Sequence, residues 1–150
     1  MIKRIRHTGL VVRDLERSLV FYQTLGFRLW KREVETGPFI DTVVGMGGVR
    51  LEWAKLHAPD GSMVELLQYH SHPDRRSLKN APSNRLGCSH IAFTVDDVLA
   101  MCTLIDHLGG STVNMPVESP SGKQRVAYCH DPDGILMELV EDLDGPASSS

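Results

Sequence analysis

The sequence predicts an α+β fold made of two tandem βαβββ modules, and three observations lead there. His7-Thr8-Gly9-Leu10-Val11-Val12-Arg13-Asp14-Leu15 aligns with His90-Ile91-Ala92-Phe93-Thr94-Val95-Asp96-Asp97-Val98, on the skeleton H-x-x-x-x-V-x-D followed by an aliphatic residue. Pro59-Asp60-Gly61-Ser62-Met63-Val64-Glu65-Leu66 aligns with Pro132-Asp133-Gly134-Ile135-Leu136-Met137-Glu138-Leu139, sharing P-D-G-x-x-x-E-L. Asp14 to Leu25 and Asp97 to Leu108 are both separated by eleven residues, so the helical segments between them match in length. Each half opens with a histidine in an apolar run and closes with a glutamate in another.

The first half reads strand, helix, then three strands. Ile5 to Val12 is apolar and β-branched enough for a strand, with His7, Gly9 and Val11 on one face. Asp14 caps the following helix, Leu15, Leu19, Tyr22 and Leu25 form its buried stripe, and Gly26 ends it. Phe27 to Val34 reads as the next strand. Thr36 to Gly48, with its glycines and Pro38-Phe39-Ile40, reads as a loop or short helical turn. Val49 to His57 and Ser62 to Tyr69 are strands joined at Ala58-Pro59-Asp60-Gly61, a strong hairpin signal.

The second half repeats the plan. Cys88 to Val95 is a strand; Asp96 or Asp97 caps a helix carrying Val98, Met101, Ile105 and Leu108, which stops at Gly109-Gly110. Strands are expected near 111–118, 124–129 and 134–142, the last two joined at Asp131-Pro132-Asp133-Gly134. One domain, 1–144, is expected from modules 3–70 and 87–143, a polar linker 71–86, and a disordered tail at 145–150. Each small sheet has one face covered by its helix and must bury the other, so pairing the sheets would form a cleft between corresponding positions.

Composition narrows the class of function. One hundred and fifty residues, 41% hydrophobic and 23% charged, suit one soluble globular domain. A formal charge of −3 gives no reason to expect nucleic acid, and no basic run suggests a membrane surface. No apolar stretch approaches the roughly 20 residues needed to span a bilayer. The N-terminus runs straight into the first motif, leaving no room for a signal peptide. Cys88, Cys102 and Cys129 form no C-x-x-C, which favours reduced thiols and a cytoplasmic location.

His7, Glu65, His90 and Glu138 are the candidate metal ligands. Glu65 lies in Met-Val-Glu-Leu-Leu and Glu138 in Leu-Met-Glu-Leu-Val, where an unpaired carboxylate costs several kcal/mol to desolvate. A cation removes that cost. A lone strand histidine is more often structural than a ligand, and a lone glutamate more often faces solvent; their repetition at matching positions favours a ligand set. Imidazole nitrogen and carboxylate oxygen without thiolate suit nickel, cobalt, zinc, manganese or iron, as one divalent ion. His57, His70, His72, His107 and His130 are read as lacking counterparts in the other half, and as surface residues or neighbours of the ligands.

The residues His7…Asp14-Leu15-Glu16-Arg17-Ser18, Phe21-Tyr22, Leu25-Gly26-Phe27 and Asp131-Pro132-Asp133-Gly134…Glu138-Leu139 resemble the vicinal oxygen chelate superfamily. That group includes glyoxalase I, methylmalonyl-CoA epimerase, extradiol dioxygenases, fosfomycin-modifying enzymes and bleomycin resistance proteins. The resemblance covers roughly residues 3–143 and implies a half-open barrel around a metal-binding cleft, with His7, Glu65, His90 and Glu138 as ligands. Four ligands on a short chain most resemble bacterial glyoxalase I, with the epimerase a close neighbour. The segment after Glu65, Leu66-Leu67-Gln68-Tyr69-His70, has no Asn-Trp-Gly, so the resemblance leaves both glutathione and coenzyme A open as carriers.

The resemblance implies a metal-dependent lyase or isomerase that removes a proton alpha to a carbonyl through a metal-stabilised enolate. A ligated carboxylate must loosen from the metal to work as a base; Glu138 is the first choice and Glu65 the second. One base returning the proton to the neighbouring carbon isomerises; two bases on opposite faces epimerise. Trp53, Phe39, Met46 and Met115 are candidates for the cavity wall or for plain core. Arg125, beside Lys123 and Gln124, is the candidate for substrate binding, and Glu52 for a second base. The partners expected are a small carbonyl or thioester substrate and a second copy in a homodimer, with neither nucleic acid nor membrane. The rival readings are a drug- or natural-product-binding protein and a dioxygenase of the same superfamily.

Overall fold

Backbone pairing begins where each parallel ladder can form, and this sets the strand limits. In a computed structural model, which describes residues 1–143, the first strand is β1 (Thr8–Val11) and the fifth is β5 (Ile91–Thr94). Both are shorter than the apolar runs around them, because pairing starts only at Thr8 opposite Val64 and at Ile91 opposite Met137. His7 and His90 thus immediately precede their strands. The tail expected at 145–150 lies outside the described residues.

The chain divides into two compact units, Met1–Arg76 and the residues from Ser77 onward. The stretch read as a linker, 71–86, is shared between them.

The first unit runs β1, α1 (Leu15–Thr24), β2 (Arg28–Thr36), α2 (Pro38–Val44), β3 (Arg50–His57) and β4 (Met63–Tyr69). Its sheet has the order β1-β4-β3-β2, with β1 parallel to β4 and the other pairs antiparallel. Pro38 opens α2, where its missing N–H costs nothing, and Gly45 in the left-handed conformation (φ 70°) closes it. The helical turn expected between 36 and 48 is therefore a two-turn helix. It brings Ile40 against Val49, Leu51 and Trp53, all buried.

The second unit runs β5, α3 (Val98–His107), β6 (Ser111–Thr112), β7 (Val117–Glu118), β8 (Gln124–His130) and β9 (Leu136–Asp142). Its sheet has the order β5-β9-β8-β6, with β7 also on β8 and β5 parallel to β9. The single strand expected over 111–118 is two short pieces, since Pro116 between them has no N–H for the ladder.

Both α1 and α3 are held by the same device. Asp14 accepts the N–H of Arg17 and Asp97 that of Ala100, at 3.1 and 2.9 Å, in the manner of N-caps. α1 buries Leu15, Leu19, Phe21 and Tyr22; α3 buries Val98, Cys102 and Ile105. Phe21, Tyr22 and Phe27 meet edge to face, with ring centroids 5.1 and 5.8 Å apart.

Strand alternation gives each sheet two unlike faces. Ala54, Leu56, Val64 and Leu66 fall on the face beneath α1 and are buried. Glu65 and its cross-strand neighbour Lys55 fall on the other face. In the second unit Ala127, Cys129, Met137 and Leu139 are buried beneath α3, and Glu138 with its neighbour Tyr128 faces the other way.

Candidate metal centre

Each unit brings its own histidine and glutamate together. Gly9 on β1 stands opposite Glu65 on β4, so His7, two residues earlier, reaches the same carboxylate. Its Nε2 is 3.0 Å from Glu65 Oε2. Ala92 stands opposite Glu138 in the same way, and His90 Nε2 is 3.1 Å from Glu138 Oε2. Within each unit, among the described residues, no third His, Cys, Asp or Glu joins the pair.

These donors fit a divalent cation. Two ligands bonded at about 2.0–2.2 Å and at right angles stand roughly 3 Å apart. The second unit adds an orientation argument. Ser89 Oγ donates to Ser83 O at 2.7 Å, so its oxygen is left to accept from His90 Nδ1–H at 3.1 Å. With Nδ1–H donated to Ser89, Nε2 is turned toward the Glu138 carboxylate, where a cation could bridge the two. His7 has no such support: its Nδ1 is buried without a hydrogen-bond partner.

The equivalent pairs differ in what stands beside them. Lys55 Nζ is 3.4 Å from Glu65 Oε1 and 4.4 Å from the ring centroid of Trp53. Trp53 donates through Nε1 to Glu35 Oε1 at 3.0 Å. At the corresponding place beside Glu138 is Tyr128, whose ring lies 5.1 Å from that of His90. Tyr128 also lines a cavity of about 290 Å³, with Ala81, Pro82, Ser111, Val113 and His130.

Arg125 and Glu52 are not on these faces. Arg125 is opposite Glu141, on the side beneath α3, and its guanidinium meets Glu118 at 2.9 Å and Glu141 at 3.5 Å. One position along a strand reverses the side of the sheet, and Arg125 has the opposite parity to Tyr128. The same reason removes Glu52 from Glu65: it lies on the side of α1, bonded to His70 Nε2 at 2.8 Å and to Arg32 Nε at 2.8 Å. Those partners, His70 first, hold the Glu52 carboxyl below its ordinary range against the opposing effect of burial. Of the wall candidates, Trp53 is buried beside α2 and Met46 packs on the same cluster, while Phe39 and Met115 are exposed.

Two features escaped the sequence reading. His57 and His130 do correspond, each two residues before the proline of its P-D-G turn, and H-x-P-D-G in both halves was the available signal. His130 is buried, with Nε2 3.3 Å from Ala81 O, so it is not a surface residue. Lys55 was also missed, since a lysine in a strand gives no sign by itself of which carboxylate it faces.

The family model for the Glyoxalase/Bleomycin resistance protein/Dioxygenase superfamily matches residues 4–139. The chain belongs to that superfamily. A lactoylglutathione lyase of Neisseria meningitidis serogroup A is 32% identical over 147 residues, covering 97% of this chain and 95% of its own. One from Pseudomonas aeruginosa is 33% identical, covering 90% and 80%. A glyoxalase family protein from Bacillus cereus superposes with a TM-score of 0.87 at 29% identity, over 95% of this chain and 96% of its own. The fold extends to a mutant fosfomycin resistance protein from Listeria monocytogenes, complexed with Mn(II) and a dihydroxypropylphosphonic acid: TM-score 0.62, 20% identity, 93% and 90% covered. The lyase reading of the sequence stands on the superfamily's lactoylglutathione lyases, and superfamily members bind a divalent metal. Among the described residues, no helix is long and apolar enough to cross a membrane.

Proposed function

We propose that this chain is a metal-dependent lyase of the glyoxalase I type, which interconverts a lactoyl thioester and its isomeric α-keto hemithioacetal. The observation that carries the reading is the repeated half-site, His7 with Glu65 and His90 with Glu138, at matched positions in two matched units. Relatives named lactoylglutathione lyase over nearly the whole chain support it, with glutathione as the thiol.

The four side chains serve as ligands to one divalent ion, whose identity among nickel, cobalt, zinc, manganese and iron is left to measurement. Such an ion supplies Lewis acidity toward the substrate's oxygens. Glu138 serves as the base, taking the proton from the carbon that bears the hydroxyl and returning it to its neighbour. Ser89 holds the imidazole of His90 so that Nε2 faces the site. We further propose one domain over residues 1–144, a homodimer and a cytoplasmic location.

The test is elemental analysis of untagged protein purified without added metal, followed by an NMR assay of lactoylglutathione formation after each metal is restored. About one ion per chain, with product formed, is the expected result. A protein that takes up no metal and binds a natural product in its place would replace this reading with sequestration.

A further inference from the structure

The two half-sites are matched in their ligands and unmatched in one neighbour. β3 sets Lys55 directly across from Glu65, and β8 sets Tyr128 directly across from Glu138. Glu65 has both oxygens engaged: Oε2 on His7 at 3.0 Å and Oε1 on the Lys55 ammonium at 3.4 Å. The ammonium rests in turn on the face of Trp53, and that indole is buried and anchored through Nε1 to Glu35. Glu138 has one oxygen engaged, and within its own unit, among the described residues, no lysine or arginine is paired with it. Its side chain is 26% exposed against 12% for Glu65.

We infer that Lys55 is a positioning residue that fixes Glu65 and so makes the site a one-base isomerase. The inference rests on the ligand set proposed above. An epimerase needs two carboxylates able to swing, one on each side of the substrate carbon. Here one carboxylate is clamped through both oxygens and the other is held through one.

The proton balance then follows. Glu138 takes the proton from the hydroxyl-bearing carbon, and the C–H electrons form the carbon–carbon double bond of an enediolate. The same carboxyl returns that proton to the adjacent carbon, the hydroxyl proton passes from the first carbon's oxygen to the second's, and the electrons re-form a carbonyl at the first. Substrate and product are isomers, and no outside oxidant or reductant enters. Because the proton is delivered from one side, the lactoyl carbon is made in one configuration.

The experiment compares Lys55→Met and Lys55→Arg, each alone and combined with Glu138→Gln, by turnover, by the configuration of the lactate released, and by metal affinity of the apoprotein in chelator competition. Lys55→Met is expected to release a mixture of lactate enantiomers, and Lys55→Met/Glu138→Gln to turn over at least about tenfold faster than Glu138→Gln, because the freed Glu65 substitutes. Lys55→Arg keeps the clamp and should do neither. Removing a positive charge beside a ligand should also tighten metal binding by about five- to tenfold, on the scale of one screened charge pair. A folded, metal-loaded Lys55→Met/Glu138→Gln no faster than Glu138→Gln, with a single lactate enantiomer from Lys55→Met, overturns the inference. Failure of the underlying reading looks different: wild-type protein without metal, or Glu138→Gln at wild-type rate.

Discussion

Gln68 and Glu141 occupy equivalent positions, each three residues beyond the glutamate paired with a histidine, and each accepts the first backbone N–H of a helix. Leu15 N–H donates to Gln68 Oε1 at 2.8 Å, and Val98 N–H to Glu141 Oε2 at 3.0 Å. The strand that presents Glu65 or Glu138 on one face thus ties down the N-terminus of the helix on the other. Glu141 adds a negative charge where the helix dipole favours one.

Replacing either residue by leucine orphans a helix N–H and should cost about 1 kcal/mol, the usual worth of an N-terminal cap. The check is urea unfolding: a lower midpoint at unchanged slope is expected for Gln68→Leu and Glu141→Leu. Midpoints equal to wild type would show that water satisfies those N–H groups equally well.

Ser89 gives a prediction about metal affinity alone. Loss of the group that orients a ligating imidazole typically weakens a site by about tenfold or more. Ser89→Ala should show that loss in chelator competition, without a change in unfolding midpoint. Undiminished affinity would mean that the Ser83–Ser89–His90 chain plays no part in ligation.

The cluster beneath α1 predicts a dependence on acid. The Glu52 carboxyl is held below its ordinary value of 4.5 chiefly by its bond to His70, against burial and aided by Arg32. A carboxyl lowered by folding adds stability above its unfolded value, and this is lost as pH falls through the folded one. Wild type should therefore exceed Glu52→Gln in stability at pH 6, and the gap should close on acidification below about pH 4.5. A gap that stays constant down to pH 3 would contradict the assignment.

The thiols should separate into one fast and two slow. Cys88 is exposed, whereas Cys102 and Cys129 are buried with Sγ atoms 3.6 Å apart. Burial, with Cys102 beside it, pushes the Cys129 thiol up to about 12, which suppresses the reactive thiolate. Native protein should release one equivalent with a disulfide reagent promptly and the rest only on unfolding; three prompt equivalents would refute this.

At Gly110 the prediction is steric. An added Cβ would stand 2.5 Å from His130 O and 2.7 Å from Ile105 Cγ2, between a backbone carbonyl and a core side chain. Gly110→Ala should cost about 1–3 kcal/mol as an overpacked core does. Thermal unfolding decides it, and an unshifted Tm would mean that the end of α3 moves aside freely.

The repeat was legible because its parts obey local rules. Asp14 and Asp97 cap helices of one length, and the P-D-G turns fix where each glutamate sits on its strand. Side-chain parity was harder to read. Arg125 and Glu52 are polar residues near the right places, but one step along a strand carries each to the helix side. The alternation is visible in the sequence once Glu65 or Glu138 is used as its origin. Lys55 was beyond reach for another reason, because facing Glu65 depends on the register across the Pro59-Asp60-Gly61 turn. The break at Pro116 and the helix opened by Pro38 show proline deciding between a strand and its interruption.

The division of each sheet into a side beneath α1 or α3 and a side bearing Glu65 or Glu138 bears on how such a protein can change. Arg32 with Glu16 and Glu52, and Arg125 with Glu118 and Glu141, lie on the helix sides. A lineage moving to a hotter or more saline habitat can rewrite those charges without altering a residue on the face that carries Glu65 or Glu138. One acquiring a new substrate can rewrite Lys55 or Tyr128 without touching the faces beneath α1 and α3. Heat tolerance and substrate choice therefore lie on interleaved letters of the same strands, open to selection one at a time.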